Sequence, residues 1–123
     1  MSITLEDLSH FSGSLQWFPH SFNPRFLYTE GVLYLGERGQ AFWLIDLIFS
    51  WQPEISRQKV QVFQMWLIEV NLEAKTAVIT ATDGNNNQIA RQEIEHTDFP
   101  LEKLKLYVQF DGEHSTLMLP SEY

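Results

Sequence analysis

The acidic residue Asp46 has the most unusual setting of any potentially reactive side chain in this sequence. It lies in the segment 41–51, where Ser50 is the one other polar residue and several of the apolar residues are aromatic. On a helix, this carboxylate belongs either to a solvent-facing stripe shared with Ser50 or to a buried site. A buried carboxylate would suit general acid–base catalysis, but the stripe is favoured because buried acids are rare unless they are paired.

A second candidate for catalysis is the pair His96 and Asp98, which are separated by Thr97. A histidine and a carboxylate this close together form either a general-base pair or part of a metal site. The spacings HxH, HxxxH and HExxH are absent, so we expect no metal, and no phosphate-binding or nucleotide motif predicts a cofactor. We favour a turn before Pro100 that is shaped by Thr97 and Asp98, with Asp98 accepting hydrogen bonds from local backbone amides.

Aromatic side chains are concentrated in the segment 17–28. Some of them are expected to cover the sheet, and those that stay exposed would form an apolar patch that binds a protein partner or a second copy of the chain. Only Arg25 is basic within this segment, so the positive groove that nucleic-acid binding uses is missing. The candidate partner-binding residues are Trp17, Phe18, Phe22 and Phe26.

The composition narrows the class of protein further. Sixteen acidic and eight basic residues give a formal net charge of −8, which argues against binding to nucleic-acid phosphates. There is no cysteine, so disulfides and thiolate chemistry are excluded. The longest apolar run is far shorter than the roughly 20 residues of a membrane-spanning helix, and no signal peptide is visible. We therefore expect an acidic, soluble, cytoplasmic protein.

Capping residues predict two helices in the first forty residues. Ser2 or Thr4 begins a short helix, because a hydroxyl at that position accepts hydrogen bonds from free amides and acidic residues follow in the first turn. Thr29 caps a second helix that runs from Glu30 into the region 36–39, where glycines end it.

The segment 41–51 predicts a further helix that ends before Pro53, because it is longer than a typical strand. The segment 15–26 contains two prolines and predicts extended, irregular structure whose aromatic rings pack across the body of the domain. The helical and aromatic part of the chain is therefore expected at residues 1–58.

Alternating apolar and polar residues predict about five strands after residue 59. In the first strand, apolar residues from Val62 onward lie on both faces, so we expect its centre to be covered on both sides. Residues 83–87 read Asp-Gly-Asn-Asn-Asn, which is typical of a hairpin turn. The strands are expected at residues 59–72, 76–82, 88–96, 104–110 and 116–119.

This order of elements predicts an α+β fold. The N-terminal helices would pack on one face of a roughly five-stranded antiparallel meander sheet. The chain is long enough for one core, and it shows no linker, so we expect a single domain at residues 1–123, with the sheet at residues 59–123.

Short segments along nearly the whole chain resemble a family of small uncharacterised proteins from bacteria and their mobile elements. The segments are DLSHFSG at 7–13, YTEGV at 28–32, AFWLID at 41–46, FQMW at 63–66, DGN at 83–85, TDFPL at 97–101 and LPSEY at 119–123. The family is classed as domain of unknown function 6876. The resemblance implies one complete domain and no particular activity, cofactor or catalytic residue.

Three classes of function remain open from the sequence. The favoured one is a non-enzymatic protein-interaction or accessory module that uses its aromatic patch or an acidic edge of the sheet. The alternatives are a small hydrolase-like enzyme using Asp46 or the pair His96 and Asp98, and a small-molecule binder with an aromatic pocket between helices and sheet. The first is preferred because catalytic motifs are absent.

Overall fold

A mixed sheet of seven strands organises the computed structural model, which describes residues 3–12, 16–57 and 63–123. The strands are β1 (Trp17–Pro19), β2 (Phe26–Thr29), β3 (Phe63–Asn71), β4 (Thr76–Thr82), β5 (Gln88–Ile94), β6 (Lys103–Phe110) and β7 (Ser115–Met118). Their spatial order is β1-β2-β7-β6-β3-β4-β5. Strands β2 and β7 pair in parallel, and every other described pair is antiparallel.

Three α-helices accompany the sheet in the described part of the chain: α1 (Leu5–Ser9), α2 (Glu30–Arg38) and α3 (Phe42–Arg57). A 3₁₀ turn follows at Pro120–Glu122. The predicted caps are confirmed, because the Thr4 side chain accepts from the amide of Asp7 and the Thr29 side chain accepts from the amide of Val32. None of these helices combines the length and the apolar character that crossing a membrane requires.

The core lies between the sheet and the helices. Alternate residues of β3, including the fully buried Trp66 and Ile68, face this layer, and helix α3 contributes Leu44 and Ile48 from the other side. Each such side chain stabilises the fold by about 1.5–3 kcal/mol through burial. The opposite face of β3 is only half-buried at the end that begins with Phe63 and is exposed at the other end, so helices cover one face of this strand.

The prediction of a five-stranded antiparallel meander preceded by helices is wrong. The segment predicted to be irregular supplies two strands, β1 and β2, between helices α1 and α2. Pro19 is tolerated because β1 is an edge strand, where a residue whose nitrogen faces away from the sheet does not need to donate a hydrogen bond to a neighbouring strand. Strand β2 then inserts beside β7, with Phe26 opposite Ser115, and creates the parallel pair.

Two predicted boundaries also change. Helix α3 continues past Pro53 to Arg57, although proline cannot donate the hydrogen bond to the carbonyl of Phe49. Ile55 lies beyond the proline and is 3% exposed, so its burial in the core holds this last turn. The strand predicted from residue 59 is described from Phe63, since residues 58–62, including Val62, lie outside the described part.

The carboxylate of Glu122 ties the C-terminal segment to the start of helix α2. Its Oε1 accepts from Thr29 Oγ1 at 2.6 Å and from the backbone amide of Leu119 at 3.0 Å, while Oε2 accepts from the amide of Gly31 at 3.1 Å. The amides at a helix N-terminus have no partner within the helix, and an anion there is favoured by the helix dipole. Glu122 therefore caps a helix that begins far away in the sequence.

This cap depends on the glycine at position 31. A Cβ atom at Gly31 would lie 2.6 Å from Glu122 Oε1 and 2.6 Å from Leu119 Cδ1, closer than non-bonded atoms approach. The absence of a side chain at this position therefore lets the carboxylate reach the first turn of the helix.

We expect Glu122→Ala to lower the free energy of unfolding by about 2–3 kcal/mol, because three donors lose a charged acceptor. Urea denaturation followed by far-UV circular dichroism measures the change. The matched control is Glu37→Ala on the exposed surface of α2, which we expect to change stability by less than about 0.5 kcal/mol. Equal stabilities of the two variants would contradict the capping role.

Candidate functional site

A buried histidine, His20, connects the loop after β1 to helix α3. Its Nε2 lies 2.8 Å from Asp46 Oδ1, and its Nδ1 accepts a hydrogen bond from the backbone amide of Phe22 at 3.2 Å. The ring stacks on Phe49 with 3.9 Å between centroids and an interplanar angle of 15°. It also contacts Phe26 edge-on.

These contacts determine the protonation pattern of the neutral ring. A backbone amide can only donate, so Nδ1 is the acceptor and Nε2 carries the hydrogen that is donated to Asp46. Both ring nitrogens of His20 are thus engaged, and its side chain is 5% exposed. The ring has no free lone pair to take a proton from a substrate. In this arrangement, His20 and Asp46 hold the loop against helix α3.

The loop that His20 anchors is closed by further local hydrogen bonds. Asn23 Oδ1 accepts from the amide of Arg25 at 3.0 Å, and the carbonyl of Asn23 accepts from the amide of Phe26 at 3.0 Å. The amide of His20 in turn donates to the carbonyl of Phe26 at 2.8 Å. The backbone on both sides of Phe22 is consequently fixed.

Phe22 projects from this fixed loop with 84% of its surface exposed. Asn23 and Arg25, from the same loop as Phe22, line a cavity of about 310 Å³, which we call the Phe22 groove. Its apolar walls include Phe49 and Pro53 from helix α3 and the 41% exposed Phe110 from the end of β6, while Arg25 and Glu113 supply charges. An exposed aromatic ring on a loop that borders a groove with both apolar and polar walls is a surface suited to binding another protein.

The turn after β6 forms one wall of the groove and is held by Asp111. Its Oδ1 accepts from the amides of His114 at 2.7 Å and Glu113 at 2.9 Å. These hydrogen bonds favour the ionised carboxylate and lower the pKa of Asp111 below its usual 3.8. The bond from the His114 amide has the larger effect, and the bond from the Glu113 amide has the next largest. The turn after β6 thereby positions Glu113 at the groove.

The four aromatic residues proposed for partner binding lie in different environments. Trp17 is 53% exposed on the edge strand β1, and Phe18 is half-buried with its ring centroid 5.8 Å from that of Tyr28. Phe26 is 2% exposed and belongs to the core, and it also lines the Phe22 groove. Phe22 is the most exposed of the four.

Asp46 is exposed and paired at the same time. Its side chain is 67% exposed, so the buried acid considered for catalysis is absent from this position. Ser50, one turn later, is also exposed and donates to the carbonyl of Leu47 at 2.6 Å. Leu44, Ile45 and Ile48 pack inward, which leaves Asp46 and Ser50 on the outer surface of the helix.

The structure brings His96 and Asp98 near each other, on the surface. His96 Nε2 lies 3.9 Å from Asp98 Oδ1, and Lys75 Nζ lies 3.4 Å from the same oxygen. The side chains of His96 and Asp98 are 72% and 75% exposed. The turn before Pro100 is stabilised by Thr97, whose Oγ1 accepts from the amide of Phe99 at 3.1 Å, and this is the role that the sequence assigned to Asp98.

An open cavity of about 560 Å³ lies beside this pair, between the start of helix α3 and the segment after β5. Trp43 lines it from the helix, with its ring edge-on to that of Phe99. In the described residues, no three histidine or carboxylate side chains are close enough together to hold a metal ion.

Sequence reasoning did not identify His20 as a structural residue. The histidine and Asp46 are 26 residues apart, and their spacing fits no local motif. A weak signal was present, since His20 follows Pro19 in an aromatic segment that must pack against something. Only the insertion of β2 into the sheet places that segment against helix α3.

The comparisons with known proteins support the resemblance found in the sequence. The model of a family described as a family of unknown function, DUF6876, matches residues 2–123. No curated protein and no solved structure gives a significant match.

We expect His20→Phe to keep the stacking on Phe49 but to release the loop, because the amide of Phe22 loses its acceptor. The free energy of unfolding should fall by about 1–3 kcal/mol, and exchange of the Phe22 amide hydrogen should accelerate. Denaturant titration and hydrogen exchange measured by NMR test both effects. His96→Phe, at a 72% exposed position, is the control and should change neither. Unchanged exchange at Phe22 would contradict the anchoring role.

The turn at the groove should loosen at acidic pH. The pKa of Asp111 is lowered in the folded state, so its stabilising contribution is complete above the usual value of 3.8 and is lost as the pH falls through the lower, folded-state pKa. NMR spectra recorded during acidification should show the amide of His114 shifting with this titration. In Asp111→Asn, the same amide should show no such shift, and a persisting shift would assign the titration to another group.

Proposed function

We propose that the chain, which belongs to the DUF6876 family of unknown function, is a non-enzymatic interaction module that binds another protein through Phe22 and the Phe22 groove. The observation that carries this proposal is the combination of an 84% exposed phenylalanine ring with a backbone fixed by partly buried hydrogen bonds. A solitary exposed apolar residue on a loose loop would need no explanation. In this protein, the buried His20 and the carboxylate of Asp46 hold the loop that carries the exposed Phe22.

The fixed backbone has an energetic consequence for binding. Association requires side chains and loops to become ordered, and that entropy opposes binding. The loop around Phe22 is already ordered through His20 and Asn23, so a partner gains the burial of the ring without ordering the backbone. Burial of one phenylalanine side chain contributes about 1.5–3 kcal/mol, which is the scale of a binding hot spot.

The groove indicates the chemistry of the partner. Phe49, Pro53 and Phe110 offer an apolar surface that fits an aliphatic or aromatic side chain of the partner. The chain carries a net charge of −8, which attracts basic proteins and repels acidic ones. We therefore expect a protein that presents an apolar side chain within a basic surface.

Engagement of both nitrogens of His20 and the exposure of Asp46 support a binding role over a catalytic one. A hydrolase needs a base with a free lone pair next to a substrate position. The side chains of His96 and Asp98 are 3.9 Å apart and more than 70% exposed, so water has free access to both of them. The experiment for this proposal therefore measures binding.

Replacing Phe22 with the photoreactive analogue p-benzoylphenylalanine tests the proposal directly. The analogue keeps the aromatic ring and forms covalent links with whatever touches it. We expect cross-linking of a partner in an extract of the source cells after irradiation. The matched control carries the analogue at Leu72, a 49% exposed residue in the turn after β3. No product at position 22 beyond that at position 72 would contradict the proposal.

The cross-linked partner then allows a quantitative measurement with purified proteins. Phe22→Ala should weaken binding by about 1.5–3 kcal/mol, or roughly ten-fold to a hundred-fold in Kd. Leu72→Ala should leave Kd unchanged. Isothermal titration calorimetry measures both values, and circular dichroism checks that each variant is folded.

A further inference from the structure

Strand β5 ends the sheet on the side opposite to the Phe22 groove. In the part of the chain that the structure describes, residues 90–94 of β5 pair with β4 on one side and with no strand on the other. An edge of this kind leaves backbone donors and acceptors available to another strand. A bulge at Ala81 and Thr82 disturbs the start of β5, so the regular part of the edge runs over residues 90–94.

The charges along this edge are complementary to themselves. Arg91 and Glu93 lie on the same face of the strand, and Arg91 Nη1 is 2.9 Å from Glu93 Oε2. If two copies of β5 pair antiparallel with Gln92 opposite Gln92, each Arg91 stands opposite the Glu93 of the other copy. Directly opposite residues of an antiparallel pair lie on the same face, so the four charges form a square of alternating sign.

The helix-facing side of the same register is also compatible with pairing. Ala90 would stand opposite the half-exposed Ile94 of the other copy, which brings two apolar side chains together. Gln92 is held at the centre, where its Oε1 accepts from Trp51 Nε1 at 2.8 Å. Helix α3 thus supports the strand at the point where the two copies would meet.

We propose that β5 is a self-association edge, through which two copies of this chain join their sheets with Gln92 at the two-fold axis. We identify the occupant as a second copy because, in an antiparallel pair of identical strands, each Arg91 lies opposite a Glu93 of opposite charge. An edge with charges of one sign would repel its copy. This inference uses a surface separate from the Phe22 groove and does not depend on the proposed function.

Charge reversal tests both the partner and the register. Arg91→Glu and Glu93→Arg each place like charges opposite one another in the homodimer, so each variant alone should self-associate roughly ten-fold more weakly. A mixture of the two variants restores opposite charges at every position and should form a heterodimer. The double variant Arg91→Glu with Glu93→Arg should self-associate like the unaltered chain.

Sedimentation velocity over a range of micromolar concentrations measures the association. For the unaltered chain, the average mass should rise with concentration from 14.4 kDa towards twice that value. Lys105→Glu is the control, because it makes the same change from base to acid at an exposed position of β6 in the middle of the sheet. It should leave association unchanged and so exclude an effect of net charge alone.

Several results would overturn this inference. They are a chain that stays monomeric throughout the range, single variants that associate as the unaltered chain does, and a mixture that forms no heterodimer. Binding of an extended peptide from another protein to β5 without self-association would assign the edge to a different occupant. Phe22→Ala should not alter the sedimentation result, so failure of this inference and failure of the proposed function are distinguishable.

Discussion

The parallel pairing of β2 with β7 is the interaction on which the rest of the molecule depends. It joins an aromatic segment near the N-terminus to the last strand of the sheet, with Phe26 opposite Ser115. Glu122 secures the same junction by capping helix α2 immediately after β2. With β2 in this position, the loop that precedes it lies against helix α3, where His20 meets Asp46 and Phe49.

The Phe22 groove is a product of this junction. Its walls come from three separate parts of the chain: the loop before β2, the second half of helix α3 and the turn between β6 and β7. None of these parts encloses the groove alone. Their assembly also explains why a histidine is buried here, since its two ring nitrogens satisfy a backbone amide and a carboxylate that belong to different elements.

Two surfaces at opposite ends of one sheet can operate independently. The Phe22 groove lies near β2 and α3, whereas β5 forms the far edge. Pairing of two copies through β5 would leave both grooves open and place two of them in one particle. A bivalent particle binds a partner with repeated sites more tightly than either groove does alone, because the second contact is intramolecular.

Local signals in the sequence were sufficient for much of the secondary structure. Hydroxyl residues at positions 4 and 29 marked the starts of α1 and α2, and alternation located β4 and β6 within a residue or two. Pro53 misled the prediction of the end of α3, because the burial of Ile55 outweighs a hydrogen bond that proline cannot make. Propensity describes a residue in isolation, and tertiary packing can exceed it.

The sequence by itself determined the acidic character, the helix caps, most of the strands and the family. Only the tertiary structure decided that residues 17–19 and 26–29 are strands, that β2 lies beside β7, and that His20 pairs with Asp46 next to the loop that carries Phe22. The physical reason is the range of the forces involved. Caps and alternation arise between residues a few positions apart, whereas strand order and the pairing of distant side chains depend on how the whole sheet buries its apolar face.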